Sequence, residues 1–370
     1  MRNSAMGEAA SASTLVPVLG LDIGGANLKA ASTEGSSAAI VFPMWQDADE
    51  LAKALVELAS RVANDSHRVA VTMTGELADC FETRSEGVSE ILRHVENAFP
   101  KQSLWVYQVD GGWSRPAEAR ADPWSVAASN WHAAAQFFAR ELESAALGDD
   151  LIQAAYASRH RQVVLVDIGS TTVDVIPLAR GRVVTDSKTD RDRLTQQELV
   201  YTGLERTPIA SLVNVFRIES NEIPVMRERF ADISDAHLLL GLSDEDPGNH
   251  DTADGRPRTF GFAHARMARM VGEDSTTLSQ SSAIDMAEQS VDAQMDLICN
   301  AIVTVSERHY GSLKNALVLF SGHAGELVGR ITNRFEPHVE FADISTVLGG
   351  ELSRCAPAYA VACLGRELEE

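Results

Sequence analysis

The chain has 370 residues, 45% hydrophobic and 23% charged, so it is long enough for two domains and a large buried core. Its formal net charge of −21 argues against nucleic acid or an anionic membrane surface as the main partner. The four cysteines form no C-x-x-C pair and no run of about 18 apolar residues occurs, which argues against a cysteine zinc site and a membrane span and predicts a cytoplasmic protein.

The first predicted structure is a hairpin whose first strand ends in Asp-Ile-Gly. Residues 1–14 are small and polar and are expected to be a disordered tail. Apolar strands are then predicted at Val16–Asp22, Leu28–Thr33 and Ala38–Phe42. Glycines in the first turn would let backbone N–H groups approach anionic oxygens, and Asp22 could hold a hydrated Mg²⁺ that in turn holds phosphate.

A helix and a further strand follow this hairpin. The spacing of apolar residues predicts a helix from Asp47 to Asn64, and Arg68–Met73 is a short β-rich run. This run leads into a threonine, a glycine and the acids Glu76 and Asp79. The carboxyl end of a strand in an α/β sheet is a usual position for a functional site. A polar loop that caps the next helix is the alternative interpretation.

The rest of the first half is predicted to contain a helix, a strand and a long helix, at Gly87–Phe99, at Leu104–Val109 and from Asp122 to Gly148. Proline near the start of the long helix and glycine at its end are typical of helix termini. Asn130, within this long helix, is interpreted as a buried structural amide.

The pattern of the first hairpin returns in the second half. Strands are predicted at Gln162–Asp167, Val173–Leu178 and Arg182–Thr185. Asp167 takes the position of Asp22, and it is followed by Gly169 and by the hydroxyl residues Ser170, Thr171 and Thr172. Two such hairpins at domain-length spacing predict a pair of phosphate-binding turns.

Residues 186–258 form a polar insert with a loose pattern and one predicted helix near Ser234–Leu242, which predicts a substrate-facing lid. The elements predicted after it are a helix at Thr276–His309, a strand at Ala316–Phe320, a strand at Val339–Phe341 and a helix at Ala356–Glu367. The second of these elements runs into Ser321, Gly322 and Gly325. This strand–glycine–helix junction is a third candidate ligand site, because N–H groups at a helix N-terminus bind anions.

The duplicated βββαβα order, the two Asp-Gly hairpins and the late glycine junction together resemble the actin/Hsp70/sugar-kinase fold. The resemblance implies an α/β protein of two ribonuclease-H-like domains with a central cleft. The expected parts are a first domain at 15–160, a second domain at 161–350 that contains the insert, and a C-terminal helix at 351–370. In that family the two hairpins bind phosphates, and the later junction, here Ser321–Gly325, binds adenosine.

A narrower group shares longer segments. The hydantoinase/oxoprolinase-related proteins of the tetrahydromethanopterin-linked one-carbon pathway carry motifs similar to DIGGANLKAA, DPWSVAASNW, VDIGSTTVDVIP, ELVYTG and TADGRP. The group includes an archaeal condensing enzyme of methanofuran biosynthesis. The resemblance implies a transferase that joins an aminomethyl-furanmethanol diphosphate to the phenol of γ-glutamyl-tyramine, forms an ether and releases pyrophosphate. In a bacterium the product would be a methylofuran-type cofactor.

On this resemblance the candidate site residues fall into three groups. Asp22 and Asp167 would anchor Mg²⁺, which makes the diphosphate a better leaving group. A base with a raised pKa would take the phenol proton, and the candidates are Glu76, Asp79 and Asp254. The candidates for phosphate contacts are Gly24, Gly25, Asn27, Lys29, Gly169, Ser170, Thr171, Thr172, Gly322, Gly325 and Arg256, with Arg206 as an alternative to Arg256.

Two other functions fit the same fold and stay open at this point. One is an ATP-dependent small-molecule kinase, although the Gly25-Ala26-Asn27 turn lacks the hydroxyl residue that kinases of this fold commonly carry there. The other is a non-enzymatic nucleotide-binding regulator, which would close on its ligand without turnover. The sequence leaves open whether ATP, diphosphate or both bind, which small molecules are the substrates, and whether the chain forms a homodimer.

Overall fold

The computed structural model describes residues 17–62, 66–144, 162–323, 325–337 and 339–368. Its first half is built on a six-stranded sheet with the strand order β3-β2-β1-β4-β5-β6. The strands are β1 (Val18–Ile23), β2 (Asn27–Ser32), β3 (Ser37–Val41), β4 (Arg68–Met73), β5 (Ser103–Tyr107) and β6 (Trp113–Ser114). Because β1 pairs antiparallel with β2 and parallel with β4, Asp22 lies between Lys29 and Thr72 in the register of the sheet.

Helices cover this sheet with their apolar sides. They are α1 (Met44–Asp47), α2 (Leu51–Ser60), α3 (Arg84–Ala98), α4 (Pro116–Ala121), α5 (Pro123–Val126) and α6 (Asn130–Glu143). On α2, Leu51, Leu55 and Leu58 recur at helical spacing and are buried in one apolar cluster with the strands of the sheet. The side chain of Thr83 accepts a hydrogen bond from the Glu86 amide, which fixes the start of α3.

The second half is built on a second sheet with the order β10-β8-β7-β13-β14, and β9 also pairs with β8. Its strands are β7 (Gln162–Ile168), β8 (Val173–Ala179), β9 (Arg182–Val183), β10 (Leu199–Val200), β13 (Leu317–Gly322) and β14 (Glu340–Asp343). A separate hairpin is formed by β11 (Val215–Ile218) and β12 (Asn221–Pro224). β7 pairs antiparallel with β8 and parallel with β13, as β1 does with β2 and β4.

The helices of the second half are α7 (Asp190–Thr195), α8 (Ile209–Leu212), α9 (Ile233–Leu239), α10 (Phe260–Arg269), α11 (Gln280–Tyr310), α12 (Gly325–Thr332), α13 (Ser345–Leu348), α14 (Gly350–Arg354) and α15 (Ala356–Leu364). The longest, α11, buries Met295 and Ile302 against Val164 and Val166 of β7. Its last turn ends at Gly311, whose φ of 74° is typical of a helix C-terminus.

One apolar cluster spans both halves, in addition to the cluster within each half. Val18 and Ala70 of the first sheet lie in the same apolar cluster as Leu165 and Ile176 of the second. Between them lie α6 and α15, which contact each other and both halves. The C-terminal helix therefore belongs to the joint between the halves.

The strand orders confirm the predicted fold class. In each half an antiparallel hairpin is followed by two parallel strands beside its first strand, which is the ribonuclease-H-like arrangement. The chain is therefore an α/β protein with two such units, as the duplicated Asp-Ile-Gly hairpins predicted.

Several predicted elements differ from the observed ones. The long helix from Asp122 is wrong in its first part, because α5 ends at Val126 and α6 begins at Asn130. Between them Ala128 has a φ of 48°, which a helix cannot contain. The predicted tail at 1–14 and the helix ends at Asn64 and Gly148 lie outside the described residues.

The insert at 186–258 carries more regular structure than the one helix predicted near Ser234–Leu242, which is observed as α9 (Ile233–Leu239). Ile209, Phe216 and Ile233 of this segment are buried in the same cluster as β7 and α11. Only its first part, Asp190–Arg206, reaches the cavity described below. Of the helices in the described part of the chain, none combines the length and apolar character that a bilayer crossing requires.

Candidate functional site

Asp22 and Asp167 lie in one buried cluster of charges. Lys29 Nζ is 3.8 Å from Asp22 Oδ2, and Asp174 pairs with Asp167 in the register of β7 and β8. Burial is the largest cause that raises the pKa of Asp167, to about 6, and the charges of Asp174 and Asp22 also raise it. The positive charge of Lys29 lowers the pKa of all three carboxyl groups, and its close contact is with Asp22.

This cluster leaves carboxylate oxygens without partners. The Oδ1 atoms of Asp22 and Asp167 are buried, and neither has a hydrogen-bond partner among the described residues. Burial also raises the pKa of Asp22 and of Asp174, although Arg193 binds Asp174 at 2.7 Å. The cluster contains three carboxyl groups, those of Asp22, Asp167 and Asp174, but only two cationic side chains, Lys29 and Arg193. A bound cation would balance the remaining negative charge.

The donor set fits a hydrated magnesium ion. Among the residues that the structure describes, no three acid, histidine or cysteine side chains converge as metal ligands. Mg²⁺ usually keeps several water molecules and takes one or two carboxylates together with phosphate oxygens. The two unpartnered carboxylate oxygens of Asp22 and Asp167, next to two glycine-containing turns, suit that chemistry.

The two predicted phosphate turns have the same backbone geometry. The Gly24 amide donates to the Asn27 carbonyl at 3.0 Å, and the Gly169 amide donates to the Thr172 carbonyl at 2.9 Å. A cavity of about 470 Å³ lies between the two halves. Gly25 and Ala26 of the first turn line this cavity, and so do Thr171 and Thr172 of the second turn. Both turns therefore line the same cavity. Only the second turn offers side-chain hydroxyl groups as hydrogen-bond donors.

A segment that the sequence did not assign braces the second turn. The amides of Leu204 and Glu205 donate to the Gly169 and Ser170 carbonyls at 3.0 and 2.9 Å. Gly203 lies so close to the turn that a Cβ there would be 2.6 Å from backbone atoms of Ser170 and Thr171. Gly203, the last residue of the ELVYTG motif, and the two residues after it therefore brace the second turn.

Replacing Gly203 with Ala is expected to lower the affinity for magnesium pyrophosphate by roughly 5- to 150-fold, the equivalent of ~1–3 kcal/mol of overpacking. The added methyl group must displace the turn that holds Thr171. Titration calorimetry measures the affinity. Gly261→Ala on α10 is the control, because a Cβ there meets no described atom within 4 Å. Equal affinities in the two variants would contradict the bracing role.

The third predicted junction abuts Asp167 and lies outside the residues that line the cavity. Gly322 has a φ of 79°, and a Cβ there would lie 2.8 Å from Asp167 Oδ1. The His323 amide donates to the Ile168 carbonyl at 2.8 Å, and burial is the main cause that lowers the pKa of His323 to about 4. Gly325, at the start of α12, is exposed.

Glu76 lies on the wall of the cavity between the two halves. It occupies a short 3₁₀ turn after β4 and is 1% exposed. Its Oε2 atom has no hydrogen-bond partner within the described part of the chain. Burial raises the pKa of Glu76 to about 7, and the charge of Arg84 opposes this effect. Asp79 lines the same cavity and is exposed.

Asp254 and Arg256 do not lie where the sequence predicted. The described residues that line the cavity include neither of them. Asp254 binds Arg266 and Arg269 at 3.1 and 2.9 Å. Burial opposes the downward shift of the Asp254 pKa, which its hydrogen bonds with Arg269, Arg256 and Arg266 cause. A base needs a free carboxylate with a raised pKa, so this arrangement argues against Asp254.

Of the two arginines considered for the phosphate contact, Arg206 is the one that lines the cavity. Its guanidinium lies 4.6 Å from the centre of the Trp45 ring, and both residues line the cavity. Arg256 is 55% exposed and lies near Asp254 instead. Asn130, which was interpreted as a structural amide, also lines the cavity.

Sequence reasoning missed four charged residues of the site: Arg84, Asp174, Asp190 and Arg193. A signal existed for Asp174, because it follows Asp167 at the same offset as Lys29 follows Asp22. The other three face the site through contacts between distant segments, for which the sequence carries no local pattern.

Two ribonuclease-H-like units that enclose a cavity between paired Asp-Gly turns define a member of the actin/Hsp70/sugar-kinase class. The chain belongs to the hydantoinase/oxoprolinase family, whose family model matches residues 67–367. This finding confirms the family that the motifs indicated.

The chain is also similar to two curated archaeal proteins. Each is named as the synthase of a furan-2-yl methanamine that carries a γ-L-glutamylaminoethyl-phenoxymethyl group. The protein of Methanocaldococcus jannaschii is 32% identical over 352 residues, which is 94% of this chain and 97% of the relative. The protein of Methanococcus vannielii is 32% identical over 206 residues, which is 55% of this chain and 90% of the relative.

The similarity of this chain to solved protein structures is weaker. Nucleotide-free acetone carboxylase has a TM-score of 0.49 at 10% identity and covers 93% of this chain and 70% of its own. A chain of the PilM–PilN type IV pilus biogenesis complex has a TM-score of 0.47 at 11% identity and covers 95% of this chain and 98% of its own. Neither overlap bears on what this chain binds.

Proposed function

We propose that the chain is a transferase of methanofuran or methylofuran biosynthesis. It condenses an aminomethyl-furanmethanol diphosphate with the phenol of γ-glutamyl-tyramine, forms an ether and releases pyrophosphate. The observation that carries the proposal is the pair of unpartnered carboxylate oxygens of Asp22 and Asp167 next to two glycine-containing turns, together with the unpartnered Oε2 atom of buried Glu76 on the cavity wall. The names of the archaeal relatives support it, because they describe a phenoxymethyl-furan product.

The diphosphate would lie at the end of the cavity where the two turns meet. Backbone amides of Gly25 and Ala26 and the hydroxyl groups of Thr171 and Thr172 are the donors available there. Asp22 and Asp167 would hold Mg²⁺, which when bound neutralises charge on the diphosphate and so improves it as a leaving group. Lys29 offsets part of the charge of the carboxylates.

The aromatic rings of both substrates would bind at the other walls of the cavity. Trp45 and Tyr201 line the cavity and offer flat apolar surfaces for stacking. Arg206 presents a planar guanidinium at the Trp45 ring, where it could bind a carboxylate of the γ-glutamyl group through two parallel hydrogen bonds. The cavity therefore combines an anion end with an aromatic side.

Glu76 is the base of the proposed reaction. The phenol oxygen attacks the furanmethyl carbon, the bond from that carbon to the diphosphate breaks, and the diphosphate leaves with the electron pair. Glu76 takes the phenol proton, because its Oε2 atom is free and its pKa of about 7 lets it be deprotonated at neutral pH yet basic enough to accept a proton. No covalent intermediate is needed.

The test is a reaction of the purified protein with Mg²⁺, the furan diphosphate and γ-glutamyl-tyramine. We expect equal amounts of pyrophosphate and of an ether product identified by mass spectrometry. Binding of both substrates without ether would overturn the proposal. A parallel reaction with ATP and each acceptor distinguishes the kinase alternative, which requires acceptor-dependent ADP formation, from the regulator alternative, which requires nucleotide binding without turnover.

A further inference from the structure

A charge bridge joins the two halves of the chain beside the cavity. Arg84, the first residue of α3, donates from an NH2 group to Asp190 Oδ2 at 2.8 Å. Asp190 is the first residue of α7 in the second half and lines the cavity. The Arg84 side chain is only 10% exposed, and its guanidinium lies 4.8 Å from the Trp124 ring centre. The bridge is therefore partly buried and held on both sides.

Arg84 is shared unequally between two acids. Its Nε atom is 3.6 Å from Glu76 Oε1, which is too long for a hydrogen bond, and this Nε has no hydrogen-bond partner among residues with described positions. The close contact is with Asp190. Arg84 therefore lies near Glu76 but forms no hydrogen-bonded ion pair with it.

The helix that carries Asp190 is anchored to both halves. Arg193, on the same helix, binds Asp174 at 2.7 Å, and its guanidinium lies 4.1 Å from the ring centre of Trp131 on α6. The side chain of Thr189 accepts a hydrogen bond from the Asp192 amide and so fixes the start of α7. One contact within the second half and one with α6 of the first half therefore hold the helix that carries Asp190 in place.

We propose that Asp190 is a positioning residue that acts through Arg84: it binds the guanidinium across the cleft and so prevents a close Arg84–Glu76 ion pair. Glu76 is thereby left able to accept a proton. The catalytic part of this inference rests on the proposed function, because it assumes that Glu76 is the base. The geometric part, that Asp190 controls the Arg84–Glu76 contact, does not.

The groups that face Glu76 give the sign of the effect. Arg84 on α3 lowers the pKa of Glu76, Asp190 on α7 raises it, and a backbone hydrogen bond from Ala128 lowers it. The other charged groups that line the cavity are Asp79, Asp174, Arg193 and Arg206. Removal of the Asp190 charge therefore acts twice in one direction, because it deletes a negative neighbour and frees Arg84 to approach Glu76.

The test is a ¹³C NMR titration of the Glu76 carboxyl group in protein labelled at glutamate Cδ, with the Glu76→Gln variant used to assign the signal. Asp190→Asn is expected to lower the titration midpoint by at least about one pH unit. Asp190→Glu should restore it to within a few tenths. Asp186→Asn, an exposed acid before α7, is the matched control and should leave the midpoint unchanged.

An unchanged midpoint in folded Asp190→Asn protein would overturn the proposal. Should that variant fail to fold, Arg84→Met gives the complementary measurement, in which the midpoint must rise because the cation is lost, and an unchanged or lower midpoint contradicts the inference. No substrate is used, so a shifted midpoint without any ether formation would reject the proposed function alone. Ether formation with an unshifted midpoint would reject the Asp190 proposal alone.

Discussion

Glu76→Gln is expected to lower kcat/KM for ether formation by about 10²- to 10⁴-fold, the usual contribution of a general base. Gln has the same shape but cannot take the phenol proton. The buried position of Glu76 and its unpartnered Oε2 atom make it the best placed of the three predicted bases. Asp79 is exposed, and Asp254 lies outside the described lining of the cavity.

The pH dependence of kcat/KM is a second test of the Glu76→Gln substitution. A base works when it is deprotonated, so kcat/KM of the unaltered protein should rise with pH and level off above about 7, the pKa of Glu76. Glu76→Gln should remove this acidic limb. Glu90→Gln, an acid 39% exposed on α3, is the control and should keep both the rate and the limb. A Glu76→Gln variant that keeps the limb would contradict the assignment.

Asp167→Asn is expected to weaken binding of magnesium pyrophosphate greatly while it stabilises the ligand-free protein. Asn keeps the shape of the side chain but lacks the charge that a cation requires. In the unaltered protein, ligand at 100 times its Kd should add about 2.7 kcal/mol of stability, and in the variant the same ligand concentration should add much less. Thermal unfolding with and without Mg²⁺ and pyrophosphate measures both effects, with the exposed Asp285→Asn as control.

The sign of the stability effect follows from the pKa of Asp167. Folding raises this pKa from 3.8 to about 6, chiefly by burial, so the folded state binds the proton more tightly than the unfolded state. The contribution to stability is complete below about pH 4 and is lost as pH rises through 6, on the order of 3 kcal/mol. In chelator at pH 8, Asp167→Asn should therefore unfold at a higher temperature than the unaltered protein. A lower unfolding temperature would contradict the account of an uncompensated buried charge.

The sheets and the pair of turns could be predicted because their signals are local. An apolar strand, Asp-Ile-Gly and a second apolar strand occur twice, and each copy forms the hairpin β1–β2 or β7–β8. Duplication of the unit also predicted that Asp22 and Asp167 face one cleft, since equivalent positions of two similar sheets meet at their joint. In the structure the charge of Asp22 raises the pKa of Asp167, but neither aspartate is among the described residues that line the cavity, so the shared cleft stays a prediction.

The residues that surround Glu76 could not be predicted, because tertiary packing decides their positions. Arg84 and Asp190 are 106 residues apart in sequence and meet only when the halves close on each other. The helix break at Ala128 has the same origin. No glycine or proline marks it, yet Ala128 takes a φ of 48° where its backbone approaches Glu76 and the Ser129 hydroxyl lies 2.8 Å from Thr72.

The polar loop at TADGRP shows the opposite error. Its acid and arginine look suited to a phosphate site, and the local pattern of Asp254 and Arg256 is that of a ligand-binding turn. In the structure Arg266 and Arg269 of α10 bind Asp254 instead. A polar loop can cap a helix or line a cleft with the same residues, and only its position in the fold distinguishes the two.

Titration calorimetry of magnesium pyrophosphate against the unaltered protein, Asp22→Asn, Asp167→Asn and the double variant tests the shared site most directly. We expect one site per chain that requires Mg²⁺, a large loss of affinity in each single variant, and little further loss in the double variant, because both carboxylates act on one ion. If the binding free energies lost in the two single variants add up in the double variant, the two turns do not hold a common ligand. The same conclusion would follow if neither substitution changed the affinity for pyrophosphate.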